Sequence, residues 1–214
     1  MSIKKLSAVM LAVIATSAMS GNIVGSKHDF SALAGVPNQQ ICIACHTPHN
    51  AATLAGAPLW NHTLSTATYT AYTSSTMNAA TGAPGSTSKL CLSCHDGTVA
   101  VNSFGGASGV AGSPITGSAN LGTNLSDDHP IGIDYTPAVV TADGALWDPA
   151  TKTVTVGEGA KTKNGTINAI MLFSSKVECA SCHDVHNTFT ADAGAKLVRV
   201  TTKSSQLCLT CHDK

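Results

Sequence analysis

The chain has 214 residues, of which 43% are hydrophobic, only 4% aromatic and only 11% charged. Twelve basic residues balance twelve acidic ones with no basic patch, which excludes a nucleic-acid surface built on charge. With two Trp, three Tyr and four Phe, the chain also lacks the bulk from which a domain of this length ordinarily packs one large core.

Residues 1–20 read as an export signal. Lys4 and Lys5 form a positive start, Leu6 to Ala15 a short apolar run, and Ala18-Met19-Ser20 a small-x-small cleavage site. The apolar run falls short of the roughly 20 residues that span a bilayer, so no membrane span is expected. The mature chain is expected outside the cytoplasm.

The first chemical motif is Cys42-Ile43-Ala44-Cys45-His46, and its pattern returns three times. The returns are at Cys91, Cys94 and His95, at Cys179, Cys182 and His183, and at Cys208, Cys211 and His212, which together use all eight cysteines. Paired Cys-x-x-Cys also suits structural zinc, and an exported cysteine-rich chain can carry disulfides, but neither requires a histidine after every pair. Cys-x-x-Cys-His is the attachment site of c-type haem. Two thiols form thioethers with the haem vinyls, and the histidine donates a nitrogen to the iron. Four covalently attached haem c groups are therefore expected, and they would supply the missing apolar bulk.

The motifs are duplicated. Cys42 to Asn50 and Cys179 to Asn187 both read C-x-x-C-H-x-x-H-N, while Leu90 to Asp96 matches Leu207 to Asp213. This divides the mature chain into a first haem pair at 21–96, a Gly/Thr/Ser/Ala-rich insert at 97–178, and a second haem pair at 179–214, all within one haem-bearing domain. In the insert, the alternation of Lys152-Thr153-Val154-Thr155-Val156, followed by Gly157 and a turn at Lys163-Asn164-Gly165-Thr166, predicts a β-hairpin. Leu197 to Val200 is a second short strand candidate. The expected fold is a multihaem cytochrome c with little regular structure: short helices at the motifs, few short strands, and long loops round a stack of four haems.

Five further histidines, His28, His49, His62, His129 and His186, are available for the second axial positions, against only Met77 and Met171 in the mature chain. Bis-histidine coordination is therefore expected, with no open iron position for catalysis and no enzyme activity. His49 and His186 each follow a proximal histidine by three residues. If that turn is helical, the two imidazoles are neighbours on one face and must serve different irons, which would lie on the order of 10 Å apart. His28 and His129 precede the leading motif of each half, and His62 has no counterpart. One histidine is then spare, or is lent to another chain.

The runs Ser26 to Phe30, Cys42 to Asn50, Pro58 to His62, Asp128 to Ile131 and Cys179 to Asn187 resemble the multihaem cytochromes with doubled C-x-x-C-H sites found in metal-reducing bacteria. Within that group the chain is similar to tetrahaem outer-surface cytochromes that polymerise into extracellular filaments. The resemblance implies electron transfer at the cell surface or beyond it, with the periplasm as the alternative place. It also implies a homopolymer in which one histidine, here His49, completes a haem of the next subunit. Other redox cytochromes and extracellular electron acceptors would be the remaining partners. Haem sites near both ends of the mature chain suit end-to-end contact, the last site ending at His212 with no polypeptide expected to cover it.

Overall fold

Loops and single bridges, rather than long regular elements, carry this chain from one motif to the next. The structure is a computed structural model that describes residues 22–106, 112–194 and 196–214. The export signal expected at 1–20 lies outside the described residues. Among the described residues, no helix is long and apolar enough to cross a membrane.

In chain order, β1 (Ala52–Leu54) pairs antiparallel with β2 (Ala57–Trp60), and α1 (Ser86–His95) carries the second motif. The former insert supplies β3 (Ile133–Asp134), α2 (Pro137–Asp143), β4 (Thr153–Glu158), β5 (Lys161–Thr166), α3 (Ile167–Ile170) and β6 (Lys176–Val177). The last two motifs follow on α4 (Cys179–Cys182) and α5 (Gln206–Leu209). β3 pairs with β6 and β4 with β5, both antiparallel. Short helices, few short strands and long loops are thus what the chain adopts. The first motif is the exception, because residues 42–45 form hydrogen-bonded turns without a helix.

α2 is built from local signals. Pro137 occupies the first turn, where its missing N–H costs nothing, and Thr136 Oγ1 accepts from Val139 N at 3.5 Å. Gly144, at φ +71°, ends the helix in the left-handed conformation.

The hairpin forms over the predicted segment, but its turn lies elsewhere. Glu158 pairs with Lys161, so Gly159-Ala160 is the two-residue loop, while Asn164 and Gly165 sit inside β5 opposite Thr155 and Val154. Gly159 at φ +63° takes the first loop position, which favours glycine in a tight hairpin. Gly165 is needed inside the strand because a Cβ there would meet Ile170 Cγ2 at 2.7 Å. The candidate strand at Leu197 to Val200 is reduced to one bridge, Val198 with His183.

Composition argues against one large core, and the insert holds a small one. Tyr135, Val156, Ile167, Ile170, Met171 and Leu172 are buried together, with Trp147, Val177 and Cys211 packed against them. Full burial of such side chains is worth about 1.5–3 kcal/mol each. The insert is therefore the apolar platform on which the last motif rests, with Tyr135 Oη donating to the Cys211 carbonyl at 3.1 Å, and Gly157 N, donating to the Arg199 carbonyl at 2.7 Å, ties it to the segment that returns to the third motif.

Candidate haem-attachment sites

Three of the four motifs share one backbone device. At the first, Thr47 N donates to Leu59 O and Asn61 N donates to Cys45 O, both at 2.9 Å, so that His46 bridges Trp60. At the third, Asp184 N donates to Leu197 O and Arg199 N to Cys182 O, both at 2.8 Å, so that His183 bridges Val198. At the fourth, Asp213 N donates to Ala145 O and Trp147 N to Cys211 O, both at 2.9 Å, so that His212 bridges Leu146. Each clamp fixes the backbone of the motif histidine against a return segment. In the fourth site that segment comes from the insert, so residues 145–147 do lie along the terminal motif.

The duplication seen in the motifs extends into these segments. Leu59 and Leu197 occupy equivalent places and both adopt positive φ, 56° and 54°; Asn50 and Asn187 do the same at 57° and 54°. The signal for the return segments was the leucine that follows each leading histidine at nearly equal spacing, in Pro58-Leu59-Trp60 and Lys196-Leu197-Val198.

Backbone carbonyls also set three of the motif imidazoles. His46 Nδ1 donates to Pro58 O and His183 Nδ1 to Lys196 O, both at 2.9 Å, and His95 Nδ1 donates to Ala119 O at 2.8 Å. A carbonyl can only accept, so the proton sits on Nδ1 and the lone pair is left on Nε2. That is the arrangement in which a histidine binds a metal through Nε2 while a backbone carbonyl fixes its orientation.

The further histidines distribute unevenly. The His28 and His95 ring centroids lie 6.0 Å apart, and those of His46 and His186 lie 6.1 Å apart. One iron held end-on by two imidazoles, each at about 2 Å, places their centroids roughly 6 Å apart. Burial, and then the charges of His95, His183 and His186, push the His28 imidazole down to about 4, so it stays neutral as a ligand must. Among the described residues its buried Nδ1 has no hydrogen-bond partner. His129 Nδ1 donates to Pro130 O at 3.0 Å, which puts the lone pair on Nε2, and burial followed by the nearby His129 lowers the His212 imidazole.

His62 and His49 behave differently. His62 is 5% exposed, with Nδ1 at 2.8 Å from Thr63 O and Nε2 at 3.2 Å from Ala100 O and 3.4 Å from Cys94 Sγ. It therefore sits at the thiol of the second motif, beside Trp60. His49 is exposed. The helical premise behind His49 and His186 does not hold: His46 lies in a bridge and His183 is extended at φ −116°, ψ 145°. His186 reaches His46 of the other half because α4 ends before its histidine.

An almost wholly apolar cavity of about 340 Å³ joins the second and third motifs, lined by Cys91, His95, Cys179, His183, His28 and His129 among others. Burial raises the thiols of Cys45, Cys94, Cys182 and Cys211, the second cysteine of every motif. Such thiols stay uncharged, as the thioethers that replace them would be. All eight cysteines are free thiols, and among the described residues no three His, Cys, Asp or Glu side chains gather as ligands of a bare ion. Paired thiols, an Nδ1-anchored imidazole and a large apolar cavity fit a haem.

Residues 173–214 match the family described as the doubled CXXCH motif. The match supports a multihaem c-type cytochrome working in electron transfer. It spans the third and fourth motifs and identifies them as sites of covalently bound haem c. No curated protein matches the chain.

Proposed function

We propose that this chain is an exported tetrahaem cytochrome whose irons are all held by two histidines, and that it polymerises into an extracellular filament carrying electrons to acceptors outside the cell. The observation that carries the electron-transfer reading is the spacing of His28 from His95 and of His46 from His186, 6.0 and 6.1 Å. Haem supplies one-electron cycling between two iron oxidation states. The protein's part is to hold the imidazoles at fixed tautomer and angle, so that little reorganisation accompanies a change of charge, and to keep water from the apolar cavity. His46, His95, His183 and His212 would hold the irons of haems attached through Cys42 and Cys45, Cys91 and Cys94, Cys179 and Cys182, and Cys208 and Cys211. His28 and His186 would supply further imidazoles to the second and first sites, and His129 and His62 are the remaining candidates within the chain.

Nine histidines for four irons favour an electron carrier over a reductase, which needs an open position. The filament rests on the sequence resemblance and on the exposure of His49, which is free to meet a haem of a second copy. Electron microscopy of the purified haem-loaded protein tests it. The expected result is filaments that His49→Ala abolishes while haem content per chain stays unchanged; discrete single-chain particles at all concentrations contradict polymerisation and leave a monomeric periplasmic shuttle.

A further inference from the structure

Residues just before the first cysteine of each motif are Ile41, Leu90, Glu178 and Leu207. Three are apolar and one is acidic, and the acidic one is buried at 2% exposure. Its carboxylate lies at the N-terminus of α1, the helix that carries the neighbouring motif. Gly85 N donates to Oε1 and Oε2 at 3.2 Å each, and Ser88 Oγ donates to Oε2. Ser88 Oγ in turn accepts from Cys179 N at 3.0 Å. Helix α1 has no side-chain cap of its own, so Glu178 caps it from a distance. The approach requires Gly85, where a Cβ would collide with Glu178 Oε1. Among the described residues no cation pairs with Glu178. The side chain also lines the cavity shared by the second and third motifs.

A buried carboxylate with no cation is costly unless donors or a positive group compensate it. The Gly85 N–H at the start of α1 and the Ser88 hydroxyl do so in part. We infer that Glu178 is a positioning residue for the second and third haems, locking α1 to α4 and placing a fixed negative charge beside both groups, which lowers their reduction potentials relative to an uncharged residue. The electrostatic sense is direct: a nearby anion stabilises oxidised over reduced iron, and does so more strongly in an apolar cavity than in water. This rests on the tetrahaem reading above.

The test is a spectroelectrochemical titration of haem-loaded Glu178→Gln, with haem sites assigned by peptide mass mapping and by NMR of the haem methyls. An exposed-carboxylate control, Glu158→Gln, accompanies it. Glu178→Gln is expected to shift upward the potentials of the two haems at Cys91/Cys94 and Cys179/Cys182 and to leave the other two in place, while Glu158→Gln moves none. Ser88→Ala, which keeps the charge but removes a donor, is expected to lower thermal stability and move the same two potentials by less. Four loaded haems with wild-type potentials in Glu178→Gln would overturn the inference. If that variant fails to load haem, Ser88→Ala decides: loss of stability with a small shift confined to the same pair upholds the role, and wild-type behaviour overturns it. Failure of the tetrahaem reading would register separately, as a wild-type protein without four redox-active haems.

Discussion

His46 and His186, drawn from opposite halves of the chain, hold their rings 6.1 Å apart and within 18° of parallel. A spacing of that size between imidazoles with no hydrogen bond to one another is what a shared iron would impose. Replacing His186 with Ala in the haem-loaded protein is therefore expected to convert one haem in four from low-spin to high-spin. Electron paramagnetic resonance reads the change; four low-spin haems in the variant would remove His186 from the ligand set.

Met171 provides the complementary test. It is 2% exposed, packed with Ile167 and Val156 in the core against which Cys211 also rests, and its burial there is explained by packing without an iron. Met171→Leu conserves volume and should cost less than about 1.5 kcal/mol, with the visible spectrum unchanged. A spectral shift would mean that Met171 reaches an iron.

The two halves place equivalent leucines in a left-handed conformation that costs a non-glycine residue about 1–2 kcal/mol. Leu59 is 52% exposed and Leu197 5% exposed. Leu59→Gly should relieve strain and stabilise by up to about 1 kcal/mol, whereas Leu197→Gly loses a buried side chain and should destabilise by about 2–3 kcal/mol. Thermal unfolding of the pair measures both, and equal effects would refute the equivalence of conformation with difference of burial.

Asp192 ties down the loop that returns to the third motif. Its carboxyl is held below the usual range by Thr201 Oγ1, donating at 2.6 Å, and by Thr202 N, donating at 2.9 Å. A lowered folded-state value means that the stabilisation is present above the ordinary carboxylate range and is lost as pH falls through the folded value. Asp192→Asn should flatten the acid limb of a stability-against-pH curve in that window. An acid limb identical to the wild type would show that this carboxyl is not coupled to folding.

The motifs, the duplication and the loop-rich fold were legible because covalent attachment fixes residue type and spacing together. The hairpin was legible from alternation, but its turn was not. Asn164-Gly165 carries the stronger turn signal, and the need to admit Ile170 against Gly165 overrode it. The core around Tyr135 and Ile167 escaped because its members come from short elements, none long enough to display a period. α2 was readable from Thr136, Pro137 and Gly144 but is hidden in a Thr- and Ala-rich stretch. The pairing of His28 with His95, and of His186 with His46, could not be read because it depends on how loops cross between halves. Glu178 did leave a trace: it is the one acidic residue at a position where the other motifs carry Ile or Leu.

Intact mass of the protein matured in a haem-attaching host, read together with electron paramagnetic resonance of the oxidised form, tests the four bis-histidine sites most directly. A single species carrying four covalent haems, all low-spin, is expected. Fewer than four haems, or a high-spin iron in the untouched protein, would contradict four bis-histidine sites.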